Sequence, residues 1–150
     1  MFEKRRPAAP EELARLYESW GIPSMNDQLA AAEVSEIATL AELGAQHTVL
    51  AVPNPAPGAD GVYTVAELHA IWSAGGGHPE RDQLSYQYHL RDAADPAYAP
   101  VLLFEPTRST SSGWRILDGT HRAVALYTAR ERSGTTMLHV PAFVLARQLR

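Results

Sequence analysis

Five consecutive residues, Asp118-Gly119-Thr120-His121-Arg122, hold a carboxylate, an imidazole and a guanidinium within one turn of chain. An apolar run ending in Leu117 precedes them and an alanine-rich run follows, so they sit where a strand hands over to a helix. The free amides at a helix N-terminus, together with the helix dipole, attract anions, phosphate above all. Gly119 permits a tight turn and close approach of a ligand. Thr120 can cap the helix or donate its hydroxyl to a phosphate oxygen. His121 can serve as acid, base or hydrogen-bond donor, and Arg122 can grip a carboxylate or phosphate with two parallel bonds. Asp118 can bind a metal, accept a hydroxyl proton or anchor Arg122. The plainer alternative is a turn, a cap and a solvated His–Arg pair.

A second cluster is His89-Leu90-Arg91-Asp92. In an extended segment His89 and Arg91 point to one side, which would add Arg91 as an anion ligand and His89 as a catalytic group. The competing reading is a surface loop with an Arg–Asp pair of little energetic weight. The candidate catalytic set is therefore Asp118, His121, Arg122 and His89, and the candidate ligand-binding set is Gly119, Thr120, His121, Arg122 and Arg91. No metal site is expected. The chain has no cysteine, and no histidine pair shows the i, i+4 spacing of a helical zinc site. Trp20, Trp72 and Trp114 read as packing residues, and Gly75-Gly76-Gly77 lacks the Lys-Ser/Thr of a phosphate-binding loop, so it reads as a link or hinge.

Several elements must hold these residues. Leu13, Leu16, Tyr17 and Trp20 form an apolar stripe that predicts a helix over 10–20, closed by Gly21 and Pro23. Leu29, Ala32, Ile37, Leu40 and Leu43 predict a second helix over 26–43, ended by Gly44. Residues 1–45 thus read as an N-terminal helical extension and 46–150 as the main domain. His47–Pro53 reads as a short strand and Asn54–Gly61 as a loop. Thr64-Val65-Ala66-Glu67 matches a capping box that opens a helix, and Tyr86, Tyr88 and Leu90 alternate. The last third gives a strand at Pro100–Pro106, a hairpin loop at Thr107–Gly113 and a returning strand at Trp114–Leu117. A helix from Thr120 to about Arg132 and a strand at Leu138–Leu145 complete it. The order implies a small α/β (α+β) mixed sheet with helices.

Charge narrows the partners. The net charge is −4, which argues against a long polyanion such as nucleic acid. Residues 1–45 carry four basic side chains against eight acids. Residues 108–150 carry seven arginines against Asp118 and Glu131, a local excess of five positive charges suited to a small anion. No apolar run approaches the roughly 20 residues of a membrane span, and no apolar stretch follows the basic Met1–Pro7 start as a secretory signal requires. A cytoplasmic protein is expected.

The block from Pro100 to Leu145 resembles the ParB/sulfiredoxin-like superfamily. The resemblance rests on Pro100-Val-Leu-Leu-Phe104, Trp114-Arg-Ile-Leu117, Asp118-Gly-Thr-His-Arg122, Ala123-Val-Ala-Leu126 and His139-Val-Pro-Ala-Phe143, about a third of the chain. It implies nucleotide chemistry at the Asp118–Arg122 turn. Sulfiredoxins bind ATP there and use a cysteine where this chain has Thr120, so repair of sulfinic acids is not expected. Chromosome-partitioning members bind CTP and continue into a helix-turn-helix region. This chain ends at Arg150 without one and lacks their arginine-rich turn. Related free-serine kinases hold ADP or ATP phosphates at the turn while a carboxylate activates the substrate; Glu67, Asp60 and Glu105 are candidates for that carboxylate here.

The favoured expectation is a small-molecule enzyme. Its most literal form transfers or hydrolyses a phosphoryl group with ATP, ADP or CTP and Mg²⁺. One alternative is acid–base chemistry, such as cyclisation, elimination or isomerisation in a biosynthetic pathway, on an anionic or polar small molecule. The other is a nucleotide- or metabolite-sensing module without turnover. Docking of a partner through the amphipathic helical pair is a further alternative, as is a homodimer.

Overall fold

The computed structural model describes residues 2–48, 62–77 and 79–149. The loop expected over 54–61, with Asp60, lies outside them, as do His78 and most of the strand expected at 47–53. Of that strand, His47 makes an antiparallel bridge to Thr64 and Thr48 a parallel one to Ile116.

Five strands form one mixed sheet. They are β1 (Arg6–Pro7), β2 (Glu33–Thr39), β3 (Leu102–Pro106), β4 (Trp114–Asp118) and β5 (Met137–Val144). Their order is β1-β2-β5-β3-β4, with β3 and β5 parallel and every other pair antiparallel. The helices are α1 (Pro10–Trp20), α2 (Asn26–Leu29), α3 (Leu40–Gly44), α4 (Val65–Ser73), α5 (Leu84–Ala93) and α6 (Thr120–Arg132). A 3₁₀ turn at Pro23–Met25 precedes α2 and a π-helical turn at Pro79–Gln83 runs into α5. The chain is thus a mixed α/β protein. No helix among the described residues is long and apolar enough to cross a membrane.

Period-two alternation divides the core between the two faces of the sheet. Leu102, Phe104, Ala142 and Val144 join the cluster that holds Leu43, Leu68, Trp72, Tyr86, Val124 and Leu126 of α3 to α6. Their neighbours Leu103 and Phe143 join Leu16 of α1 and Leu29 of α2 on the other side. Each buried Val, Leu or Phe side chain among them contributes about 1.5–3 kcal/mol, so both helical layers are fastened to the sheet.

The first 45 residues are not a helical pair. The helix over 10–20 forms, but the stretch expected as one helix over 26–43 splits into α2, β2 and α3. β2 pairs with β5 from Glu33↔Val144 to Thr39↔Met137. Alanine- and glutamate-rich sequence favours helix, and the backbone bonds and side-chain contacts offered by β5 override that preference. The stretch with Tyr86, Tyr88 and Leu90 in alternation, open to an extended or a loop reading, is helical over Leu84–Ala93. Its buried contacts fall at Tyr86, Leu90 and Ala93, a 4 and 7 spacing that only a helix brings to one side.

Candidate functional site

α6 begins abruptly. Gly119 is its N-cap, with φ 102° and ψ 17°, a left-handed conformation that side-chain-bearing residues rarely adopt. A Cβ there would lie 2.8 Å from the Val101 carbonyl oxygen and 2.9 Å from Leu102 Cδ2, so both the φ and the space demand glycine. Thr120, expected as a cap, is instead the first helical residue, and no side chain caps the helix. The first bond of the helix runs from the Ala123 amide to the Gly119 carbonyl, 2.8 Å. The amides of Thr120, His121 and Arg122 therefore have no intrahelical acceptor and no other partner among the described residues.

Asp118, at the end of β4, faces Arg122 one turn on. Arg122 Nη2 donates to Asp118 Oδ2 at 3.0 Å and Arg122 Nη1 to Ser19 Oγ at 2.7 Å. Ser19 Oγ in turn donates to Asp118 Oδ2 at 3.1 Å. Of the roles open to Asp118, anchoring Arg122 is the one this geometry carries. Ser19 comes from α1, 99 residues away from Asp118 in sequence, and nothing in the sequence marks it. It ties the helix on one face of the sheet to the turn at the strand's end.

His121 is held by two other residues. Its ring stacks on Trp72 with centroids 5.1 Å apart and planes 10° from parallel. Its Nε2 lies 3.2 Å from Oδ1 of Asp82, a carboxylate with no exposed surface. Trp72, expected as a packing residue, is fully buried and also packs against the imidazole. Asp82 was not foreseen: it is one carboxylate in the polar run Pro79-Glu-Arg-Asp-Gln83, and only the packing of α5 on α6, with the π-helical turn packed on α5, brings it to His121. Burial pulls the His121 pKa below its usual 6.5; Asp82 opposes that, and Arg81 and Arg122 reinforce it. His89 is shifted down as well, by burial first and then by Arg122 and His121. Both shifts favour the neutral imidazole.

Ser19, His89 and the run from Asp118 to Arg122 line one cavity of about 230 Å³. The structure thus brings His89 to the Asp118–Arg122 turn. Arg91 is not there. Two residues apart on a helix point about 200° apart, so with His89 in the cavity Arg91 is exposed to solvent. Of the other candidate carboxylates, Glu67 and Glu105 are engaged elsewhere. Glu67 accepts the Thr64 amide at 3.0 Å and completes the capping box of α4. Glu105 is 3% exposed and is held by Arg115, Nε at 2.9 Å and Nη2 at 2.7 Å. Larger concavities lie elsewhere, one of about 810 Å³ beside Arg108, Arg115 and Arg147. It lacks the histidine–carboxylate pairing of the smaller cavity. Among the described residues no group of three His, Asp or Glu side chains could hold a metal ion.

Fold and site together define a mixed α/β protein with a histidine-lined cavity at the strand-to-helix turn before α6. Comparison with protein-family models, curated proteins and solved structures finds no match.

Proposed function

We propose that this chain is a small-molecule enzyme that binds the anionic group of its substrate at the start of α6 and moves a proton through His121. One observation carries the reading: three amides without partners among the described residues and a carboxylate-anchored imidazole border the same cavity. Arg122 is neutralised by Asp118, so the anion is held by the helix dipole and by directed donors rather than by net charge. Such a terminus is worth roughly 0.3–2 kcal/mol, which makes a bare anion a weak ligand and leaves affinity to the rest of the substrate. A cavity of about 230 Å³ is smaller than the roughly 300–1,000 Å³ that encloses a drug-sized molecule. It suits a phosphate or carboxylate bearing a few carbons. The reaction class is proton transfer at a carbon or hydroxyl of that substrate, as in isomerisation, elimination or cyclisation.

The resemblance to ParB/sulfiredoxin-like proteins favours a second reading, in which the anion is the phosphate chain of ATP, ADP or CTP with Mg²⁺. The amides of Thr120, His121 and Arg122 suit a phosphate, whereas the nucleoside would extend beyond the cavity. Such a nucleotide would supply a transferable phosphoryl group. Calorimetry and amide-shift mapping with phosphate, small phosphorylated and carboxylated acids, and the three nucleotides with Mg²⁺ separate these readings. Small acids shifting the 118–122 amides support the first, and nucleotides binding far more tightly support the second. Binding without turnover points to a sensor. If no anion perturbs 118–122, or if His121→Ala leaves binding and activity intact, the site is wrongly assigned.

A further inference from the structure

We infer that Asp82 is a positioning residue that holds His121 as its Nε2–H tautomer, so that Nδ1 is the atom offered to the cavity as proton acceptor. The functional half of this inference rests on the proton-transfer reading above; the tautomer half does not. An ionised carboxylate only accepts hydrogen bonds, so the ring nitrogen 3.2 Å from Asp82 Oδ1 must carry hydrogen. Nδ1 is then the lone-pair nitrogen, and no described residue bonds to it.

The surroundings hold this arrangement in place. Asp82 has no exposed surface, and Arg81 Nε lies 3.5 Å from the same Oδ1 that faces His121. Its turn is pinned by Gln83, whose Nε2 donates to the Trp72 carbonyl at 2.7 Å and the Gly76 carbonyl at 2.6 Å. Trp72 fixes the plane of the imidazole from one side. Among the described residues, the charged and titratable groups around His121 are Asp82 and Arg81 from the π-helical turn, His89 from α5 and Arg122 from α6 itself. Of these only Asp82 favours the imidazolium. A proton taken up at Nδ1 thus gives a cation paired to Asp82 through Nε2–H, as the buried aspartate of a hydrolase triad orients and stabilises its histidine.

Nitrogen-15 NMR of the full-length protein without ligand tests this. The expected spectrum at pH 7.5 shows His121 with a protonated Nε2 and a bare Nδ1. In Asp82→Asn the ring should lose that single tautomer, and its titration midpoint should fall, because the one group raising it has lost its charge. A wild-type ring protonated at Nδ1 overturns the inference without any variant. So does an Asp82→Asn protein, folded by its amide spectrum, in which the His121 midpoint is unmoved. The spectrum needs no substrate. If it shows the expected tautomer while no anion binds at 118–122, the proposed function fails and the positioning role of Asp82 stands.

Discussion

Replacing Gly119 with alanine tests the turn on which the candidate site depends. Two separate costs are expected. The left-handed backbone at φ 102° costs an L-residue about 1–2 kcal/mol. The new methyl would also lie 2.8 Å from the Val101 carbonyl oxygen and 2.9 Å from Leu102 Cδ2. Relieving such overpacking costs typically about 1–3 kcal/mol, here at the upper end because one neighbour is backbone. The sum, about 2–5 kcal/mol, is a large part of the roughly 5–15 kcal/mol that holds a domain together. Gly113 supplies the control. It has φ 81° and nothing within 4 Å of a built Cβ, so Gly113→Ala should pay the backbone cost alone. Urea unfolding of both variants, compared at equal m-value, isolates the steric part. Gly119→Ala should exceed Gly113→Ala by about 1–3 kcal/mol. Equal losses would refute the close approach of Val101, and with it the account of why the α6 amides are left bare.

Three further outcomes follow from the same geometry. Ser19→Ala removes a hydroxyl bonded to both Asp118 and Arg122 and should cost about 1 kcal/mol. In a double-mutant cycle it should couple to Arg122→Ala; strict additivity would mean that α1 and the turn are not linked. Because His89 and His121 have pKa values lowered by folding, the unfolded chain takes up protons first as the pH drops. Stability should therefore be full above pH 6.5 and decline below it, and His89→Gln should flatten the decline. A wild-type curve that rises as the pH falls through this range would contradict the burial of both rings. Arg6, paired with Glu12 at 2.6 and 2.8 Å, holds that carboxyl down to about 2. Its contribution is present above pH 4.5 and lost as the pH falls towards 2, and a Glu12→Gln variant should show a shallower acid limb in the same titration.

Some elements could be read directly because their signals are local. The stripe of α1, the Thr64–Glu67 capping box and the strand–hairpin–strand–helix–strand order after Pro100 all form as their residues predict. Each depends on spacing or turn chemistry within about a dozen residues. β2 was hidden because the alanine- and glutamate-rich stretch around it reads as one helix, although Val34, Ile37 and Thr39 themselves suit a strand; what fixes them as a strand is pairing with β5, about 100 residues later. α5 was hidden because three alternating residues are too few to distinguish period 2 from a helix whose contacts recur at 4 and 7.

The Asp118–Arg122 turn shows the same division. Sequence alone determined its position between β4 and α6, the glycine at its bend and the imidazole and guanidinium that follow, because adjacent residues stay adjacent in any fold. It also placed His89 among the candidates, though for a reason the helix overturns. Tertiary structure alone decided which neighbours complete the turn: Ser19 across the sheet, Asp82 from the π-helical turn and Trp72 beneath the ring, with Arg91 turned away. Those pairings depend on how separate elements pack. Packing brings together residues 39 to 103 positions apart in the chain, whose spacing in sequence carries no trace of the contact.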